Sequence, residues 1–203
     1  MTSHILTSFS ISLHYRHQSA GSTSIYDLAR HQGYIDADYL DPDRFFEAPG
    51  ILRMDHDRYH CFLWYEAGAE LSRYAYFLMG SLAALAKETM MPASFTRLAP
   101  DSSSMGYENV AGLLVGEDLT RLLIRNHGEN LSLSFLDPDG AAPEHRLSPY
   151  FNDIKIPRDM WLAASVEALD EYCVVAAECL GNTESGPLYE LVNLWRRVRD
   201  LVA

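Results

Sequence analysis

The segment of this chain with the clearest capacity for chemistry is Asp55–His60, which reads DHDRYH. Carboxylates and imidazoles are ligands for zinc or manganese, and two histidines four positions apart on a strand share a face. His14 and His17 could complete such a ligand set. The segment lacks a specific pattern such as H-E-x-x-H, and Asp-His-Asp is also typical of a hairpin turn. We therefore predict a turn and no metal site, and keep a small metal-dependent hydrolase using this segment as an alternative.

Nucleophile and phosphate-loop motifs are absent from the sequence. It contains no G-x-S-x-G elbow, and the glycines at 106 and 112 are not followed by G-K-[ST]. The cysteines are Cys61, Cys173 and Cys179, and this odd number makes no disulfide framework, which favours a reducing cytosol. We predict no catalytic residue and no cofactor, so the protein is expected to bind and not to catalyse.

The charge balance limits the classes of partner. The 203 residues include 16 basic and 28 acidic side chains, a formal net charge of -12. This charge repels nucleic acid and anionic membranes, so neither is expected as a partner.

The start of the chain lacks the features of a secretory signal, and the longest uncharged apolar stretch, residues 74–86, is too short to span a bilayer. A cytoplasmic location is expected.

Negative charge is concentrated near the C-terminus, where no lysine or arginine lies between Asp159 and Trp195. Helical spacing predicts a core face there: Leu162, Val166, Leu169, Cys173, Ala176 and Leu180. On the opposite face it predicts a partner-binding stripe: Glu167, Asp170, Glu171, Glu178 and the apolar Val174. The stripe is either simply solvated or binds a basic partner. The missing counter-charge favours the second interpretation, because exposed helices normally mix both signs.

A second acidic cluster lies in the turn-rich connection between Gly33 and Gly50. Its residues are Asp36, Asp38, Tyr39, Asp41 and Asp43. Close carboxylates can bind calcium, but the EF-hand spacing of glycine and glutamate is absent. A polar capping loop and a protein-binding loop are the other interpretations. An aromatic side chain among carboxylates suits an interface, since tyrosine offers contact area at a small entropic cost.

The hydrophobic pattern predicts one α+β domain over residues 1–203 with a mostly antiparallel sheet. Strands are predicted at 5–15, on either side of the 55–58 break within 51–65, at 131–136 and at 145–156. Helices are predicted at 24–32, 66–90, 158–180 and 186–202, and residues 109–125 are not assigned. The helix at 66–90 is apolar nearly all round, which is typical of the centre of a domain. Arg196, Arg197 and Arg199 are explained at this level by the helix dipole.

Two parts of the chain carry a resemblance to a known class of protein. They are FSISLHY at 9–15 and the run LSLSFLDPDG…IKIPRDMWLAASVEALDEY at 131–172, with its order of strand, turn, strand and acidic helix. In this organisation the chain resembles bacterial immunity proteins, the cytosolic inhibitors encoded beside polymorphic or type VI-secreted toxins. The resemblance implies a binder of a basic toxin that acts on nucleic acid or nucleotides. An acidic secretion chaperone, dimeric and bound to an unfolded client segment, is a further alternative, and the sequence leaves the oligomeric state open.

Overall fold

The computed structural model describes residues 8–17, 21–31, 41–57, 60–64, 69–87, 109–116, 121–136 and 154–203. The described strands are β1 (Phe9–His17), β2 (Gly21–Ser24), β3 (Gly50–His56), β4 (His60–Trp64), β5 (Val110–Val115), β6 (Arg121–Asn126), β7 (Asn130–Leu136) and β8 (Ile154–Pro157). The described helices are α1 (Ile25–His31), α2 (Pro42–Phe46), α3 (Leu71–Ala86), α4 (Arg158–Leu180) and α5 (Pro187–Val202). The α+β class, the central buried helix α3 and the two C-terminal helices are as the sequence predicts.

The strands form two antiparallel sheets. The first sheet has the order β2-β1-β3-β4 and the second the order β5-β6-β7-β8. In the first sheet Leu13 lies opposite Leu52 and Ile11 opposite Met54, and all four side chains are buried on one face. The alternation of apolar and polar residues along β1 dictates this arrangement, because successive side chains point to opposite faces of a sheet.

Helix α3 packs closely on the second sheet. A Cβ atom at Gly112 of β5 would lie 2.9 Å from Cδ1 of Ile124 and 3.3 Å from the Phe77 ring of α3, so glycine allows the strand and the helix to approach closely. The Arg73 guanidinium of α3 also donates to the carbonyl of Val115 at the end of β5. These contacts attach the all-round apolar helix α3 to the edge strand of the second sheet.

Trp161 of α4 joins α3, α4 and the first sheet. Its ring stacks on Phe9 of β1 at 5.7 Å and meets Phe77 of α3 edge-on at 6.5 Å between centroids. Its indole N–H donates to Ser81 Oγ at 3.1 Å, and Ser81 Oγ in turn donates to the Leu78 carbonyl at 2.8 Å. The side chain is fully buried, so this acceptor satisfies a donor that water cannot reach.

Several elements differ from the sequence prediction. Residues 21–24 form a short strand, and Pro42–Phe46 forms a helix where the sequence predicted a connection. Residues 109–125, not assigned from sequence, contain β5 and β6, whose side chains are buried on both faces. Burial on both faces removes the alternation by which a strand is recognised. The hairpin of β3 and β4, the cap of α1 by Ser24 and the long helix α4 are confirmed.

The Trp161–Ser81 hydrogen bond gives a stability prediction with a matched control. We expect Ser81→Ala to lower the free energy of unfolding by about 1–3 kcal/mol, because it leaves the buried indole N–H without an acceptor. Ser165 is equally buried, but its hydroxyl makes no hydrogen bond among the described residues. We therefore expect Ser165→Ala to be neutral or stabilising. Urea unfolding of both variants checks this, and equal losses would contradict the assigned role of Ser81.

Candidate protein-binding surface

The solvent-facing side of α4 carries four of the five residues predicted to bind a partner. Glu167 and Glu178 are exposed, Asp170 is half-buried and Val174 is 48% exposed. We call Glu167, Asp170, Val174 and Glu178 the outer stripe of α4. Their spacing of three or four residues places them on one side of the helix. In the folded protein, Val174 is therefore exposed between acidic side chains.

Glu171 does not belong to this stripe, which corrects the sequence prediction. It is 9% exposed and lies in the same helical row as the buried Ala164, Ala168 and Val175. The buried face of α4 is turned about the helix axis, by nearly one residue position, from the face that the sequence predicted. Sorting by aliphatic side chains placed Leu162, Val166 and Cys173 inside, whereas all three are only partly buried.

The reason for this rotation is the size of two aromatic side chains. Trp161 and Tyr172 are fully buried, and Tyr172 packs against Phe45 of α2 with ring centroids 5.5 Å apart. Large rings bury more apolar area than leucine or valine and so dominate the choice of the buried side. Burial also raises the pKa of the Tyr172 hydroxyl well above its usual value.

Asp170 has the counter-charge that the sequence of α4 lacks. Its Oδ1 accepts a hydrogen bond from Trp195 Nε1 at 3.0 Å, and its Oδ2 lies 2.9 Å from Arg199 Nη2. Both partners belong to α5, which runs antiparallel beside α4. The dipole explanation of Arg199 is thus incomplete, because this guanidinium also neutralises a carboxylate across the helix pair. The counter-charge was missed because it lies 29 positions along the chain.

The second predicted cluster is described in part. Asp36, Asp38 and Tyr39 lie outside the described residues. Asp41 caps α2, since its Oδ1 accepts from the backbone N–H groups of Asp43 at 3.1 Å and Arg44 at 3.2 Å. This is the capping role that the sequence offered as one interpretation, and it leaves Asp41 and Asp43 exposed.

The two acidic clusters meet where α4 turns into α5. A Cβ atom at Gly186, the cap of α5, would lie 3.5 Å from Oδ1 of Asp43. Gly186 has φ +93, a backbone conformation that favours glycine. Five exposed carboxylates belong to these adjoining segments, and we call them the acidic end: Asp41, Asp43, Glu178, Glu184 and Glu190. Glu178 belongs to both the acidic end and the outer stripe of α4.

Side chains of the histidine-rich segment point to opposite faces of the first sheet. His56 lies on the inner face, in register with Phe9, and is buried. His14 and Asp55 lie on the outer face, so the sheet separates His14 from His56. Arg58 and Tyr59 and the side chain of His60 lie outside the description. Within the described residues, no group of three His, Cys, Asp or Glu side chains is placed to hold a metal ion.

The outer face of the first sheet contains polar pairs that the sequence analysis did not single out. Ser12 Oγ lies 3.0 Å from His14 Nε2, and Arg53 makes two bonds to Asp55 at 2.7 and 2.9 Å. Burial lowers the pKa of His14, and the Arg53 guanidinium lowers it further. Each pair joins residues two positions apart on one strand, which the alternation of side chains places on the same face.

Cys173 and Cys179 are free thiols. Burial raises the pKa of Cys173 to about 12, with a smaller contribution from the Asp170 carboxylate. Burial likewise raises the pKa of Cys179 to about 11. Because the thiolate is the reactive form, both side chains are poor nucleophiles at neutral pH.

Comparison of the chain with protein-family models, curated proteins and solved structures finds no match. Among the described helices, none is both long enough and apolar enough to cross a bilayer.

The pairing of Asp170 predicts that charge reversal there affects folding. We expect Asp170→Lys to lower the free energy of unfolding by about 1–2 kcal/mol, because the buried Trp195 N–H loses its acceptor. The exposed Arg199 pair contributes less than about 1 kcal/mol. Glu178→Lys should not lower stability, because the position is exposed and the C-terminal end of a helix favours a cation. Thermal unfolding of both variants measures the difference, and similar stabilities would refute this role of Asp170.

The lowered pKa of His14 predicts a pH effect of defined sign. Below the ordinary value of 6.5 the unfolded chain takes up a proton at His14 before the folded protein does. Stability should therefore fall as pH decreases from 6.5 toward the folded pKa, and His14→Gln should lose less over that range. NMR titration of the ring should give a midpoint below 6.5, and a midpoint at or above this value would be incompatible with the burial of the imidazole.

Proposed function

We propose that this protein is a non-catalytic binder that presents the acidic end and the outer stripe of α4 to a basic protein. The proximity of Asp43 to Gly186 carries the proposal, because it brings two acidic segments, distant in sequence, to one place. A surface assembled from two clusters offers a broad negative field. Such a field speeds the association of a positively charged partner and depends on ionic strength.

The position of Glu178 supports a role beyond folding. It lies in the last turn of α4, which contains no basic residue. The carbonyl end of a helix carries partial negative charge, so a carboxylate there is unfavourable by several tenths of a kcal/mol. Glu190, in the first turn of α5, is favourably placed by the same argument. Folding therefore accounts for Glu190 and leaves Glu178 to be explained by binding.

Val174 supplies the apolar contact that charge alone lacks. It is one of the few large hydrophobic side chains that the described surface exposes. Protein interfaces combine a small desolvated apolar centre with a polar rim, and the centre sets most of the dissociation rate. Val174, with Glu167, Asp170 and Glu178 around it, matches this arrangement on a small scale.

Within this class, we propose an immunity protein whose partner is a secreted toxin that acts on nucleic acid or on nucleotides. A protein that binds a polyanion exposes basic side chains, and these are complementary to a carboxylate surface. The order β7, β8 and acidic helix α4 in the described part of residues 131–172, which carries most of the resemblance, supports this proposal but assigns no subfamily.

The test is complex formation with the product of the neighbouring gene, followed by protection from growth arrest when both are expressed. We expect a 1:1 complex whose affinity falls as salt rises from low to moderate concentration. Glu178→Lys should weaken binding by about tenfold and reduce the salt dependence, and Val174→Asp should accelerate dissociation by a similar factor.

Glu129→Lys is the matched control, because it makes the same charge change at another exposed site. The Glu129 carbonyl accepts from the backbone N–H of Arg158, the first residue of α4. Glu178 is 20 residues further along that helix, which corresponds to about 30 Å. Equal effects of the two variants would argue against the acidic end as the interface. Binding to an unfolded client without protection would instead favour a secretion chaperone.

A further inference from the structure

The outer face of the second sheet, away from α3, carries a row of side chains that the sequence analysis did not single out. Arg125 of β6 lies opposite Ser132 of β7, and Ser132 lies opposite Lys155 of β8. The three side chains therefore project from neighbouring strands on one face, with the hydroxyl between two cations. Neighbouring strands of a sheet typically lie about 4.8 Å apart, so the Cα atoms of Arg125 and Lys155 are expected about 10 Å from each other.

The row has two buried serine hydroxyls, and basic side chains lie around them. Ser132 and Ser134 are 5% and 6% exposed, whereas Lys155 and His127 are exposed and Arg125 is half-buried. Arg125 Nη1 donates to Ser134 Oγ at 3.3 Å, and His127 Nε2 lies 3.0 Å from Ser132 Oγ. These bonds hold the Arg125 side chain and the His127 ring over the two serines. Within the described part of the chain, the remaining guanidinium donors of Arg125 and the ammonium of Lys155 have no further partner, and Lys155 is exposed.

Among the described residues, the charge of this face is positive, opposite to the net charge of the chain. The chain has a formal net charge of -12, and Lys155 is one of its two lysines. The paired rows of β5 to β8 on this face contain no carboxylate among the described residues. Glu129, in the turn between β6 and β7, is the nearest described acid in sequence.

We propose that Arg125, Lys155, His127 and Ser132 form a site for the phosphate group of a small molecule. A guanidinium donates two parallel hydrogen bonds to a phosphate, and an ammonium adds a compact positive charge from the other side. Bound phosphate also relieves the repulsion between two cations on one sheet face. The site lies at the start of α4, at the opposite end of that helix from Glu178, so it is separate from the proposed protein interface.

The test is calorimetric titration of the full chain with inorganic phosphate, with chloride at matched ionic strength as the blank. We expect saturable 1:1 binding, with backbone amide NMR shifts confined to β6, β7 and β8. Arg125→Gln and Lys155→Gln should each weaken binding by at least about tenfold, and Arg125→Lys should weaken it less, since it keeps the charge but loses the planar fork. Methyl phosphate should compete for the site. If methyl phosphate binds more tightly than inorganic phosphate, the ligand of this site is an organic phosphate ester. If the two bind equally, the ligand is the free phosphate anion.

Arg197→Gln is the control, because it removes one positive charge from an exposed position of α5, which packs on α2, α3 and α4. Its affinity for phosphate should equal that of the unchanged protein. The proposal fails if inorganic phosphate gives no saturable heat, or if Arg125→Gln and Arg197→Gln have the same effect. Far-UV circular dichroism and thermal unfolding of each variant establish that the folded proteins are being compared.

Discussion

The hydrogen bond from the buried Trp161 indole to Ser81 fixes the position of helix α4 relative to the central helix α3. An indole N–H inside the core must have an acceptor, and the required geometry allows little rotation of either helix. The same ring contacts Phe9 of β1, so one side chain sets the position of α4 against α3 and against the first sheet. Arg158 adds a second link, since its guanidinium donates to the Leu85 carbonyl at 2.6 Å at the end of α3.

The orientation of α4 decides which of its charges reach solvent. With Trp161 and Tyr172 inside, Glu171 turns toward the protein, Asp170 faces α5 and Val174 faces outward. Glu167 and Glu178 therefore stay exposed, and Asp43 joins Glu178 at the C-terminal end of the helix. β8 leads directly into the other end of α4 and carries Lys155. A helix of 23 residues is about 35 Å long, so the acidic end and the cationic row are far apart.

The sequence predicted well those elements whose residues alternate or repeat with one clear period. These elements are β1, the β3–β4 hairpin, β7, α3, α4 and α5. Ser24 was also correctly identified as a helix cap. β5 and β6 were missed because they are buried on both faces, and α2 because five residues give no period. Of the proposed interface, Glu167, Val174 and Glu178 were correctly placed on the exposed side. Glu171 was not, since aliphatic spacing could not weigh two aromatic rings.

The sequence by itself determined the α+β class, the apolar character of α3, the net negative charge and the concentration of that charge in two segments. These follow from composition and local periodicity, which depend on neighbouring residues. Tertiary structure alone decided that Arg199 neutralises Asp170, that Asp43 lies beside Gly186, and that Arg125 and Lys155 flank Ser132. Each of these depends on the relative position of separate elements. That position is set by burying large side chains with their polar groups satisfied, a condition that no local spacing in the sequence records.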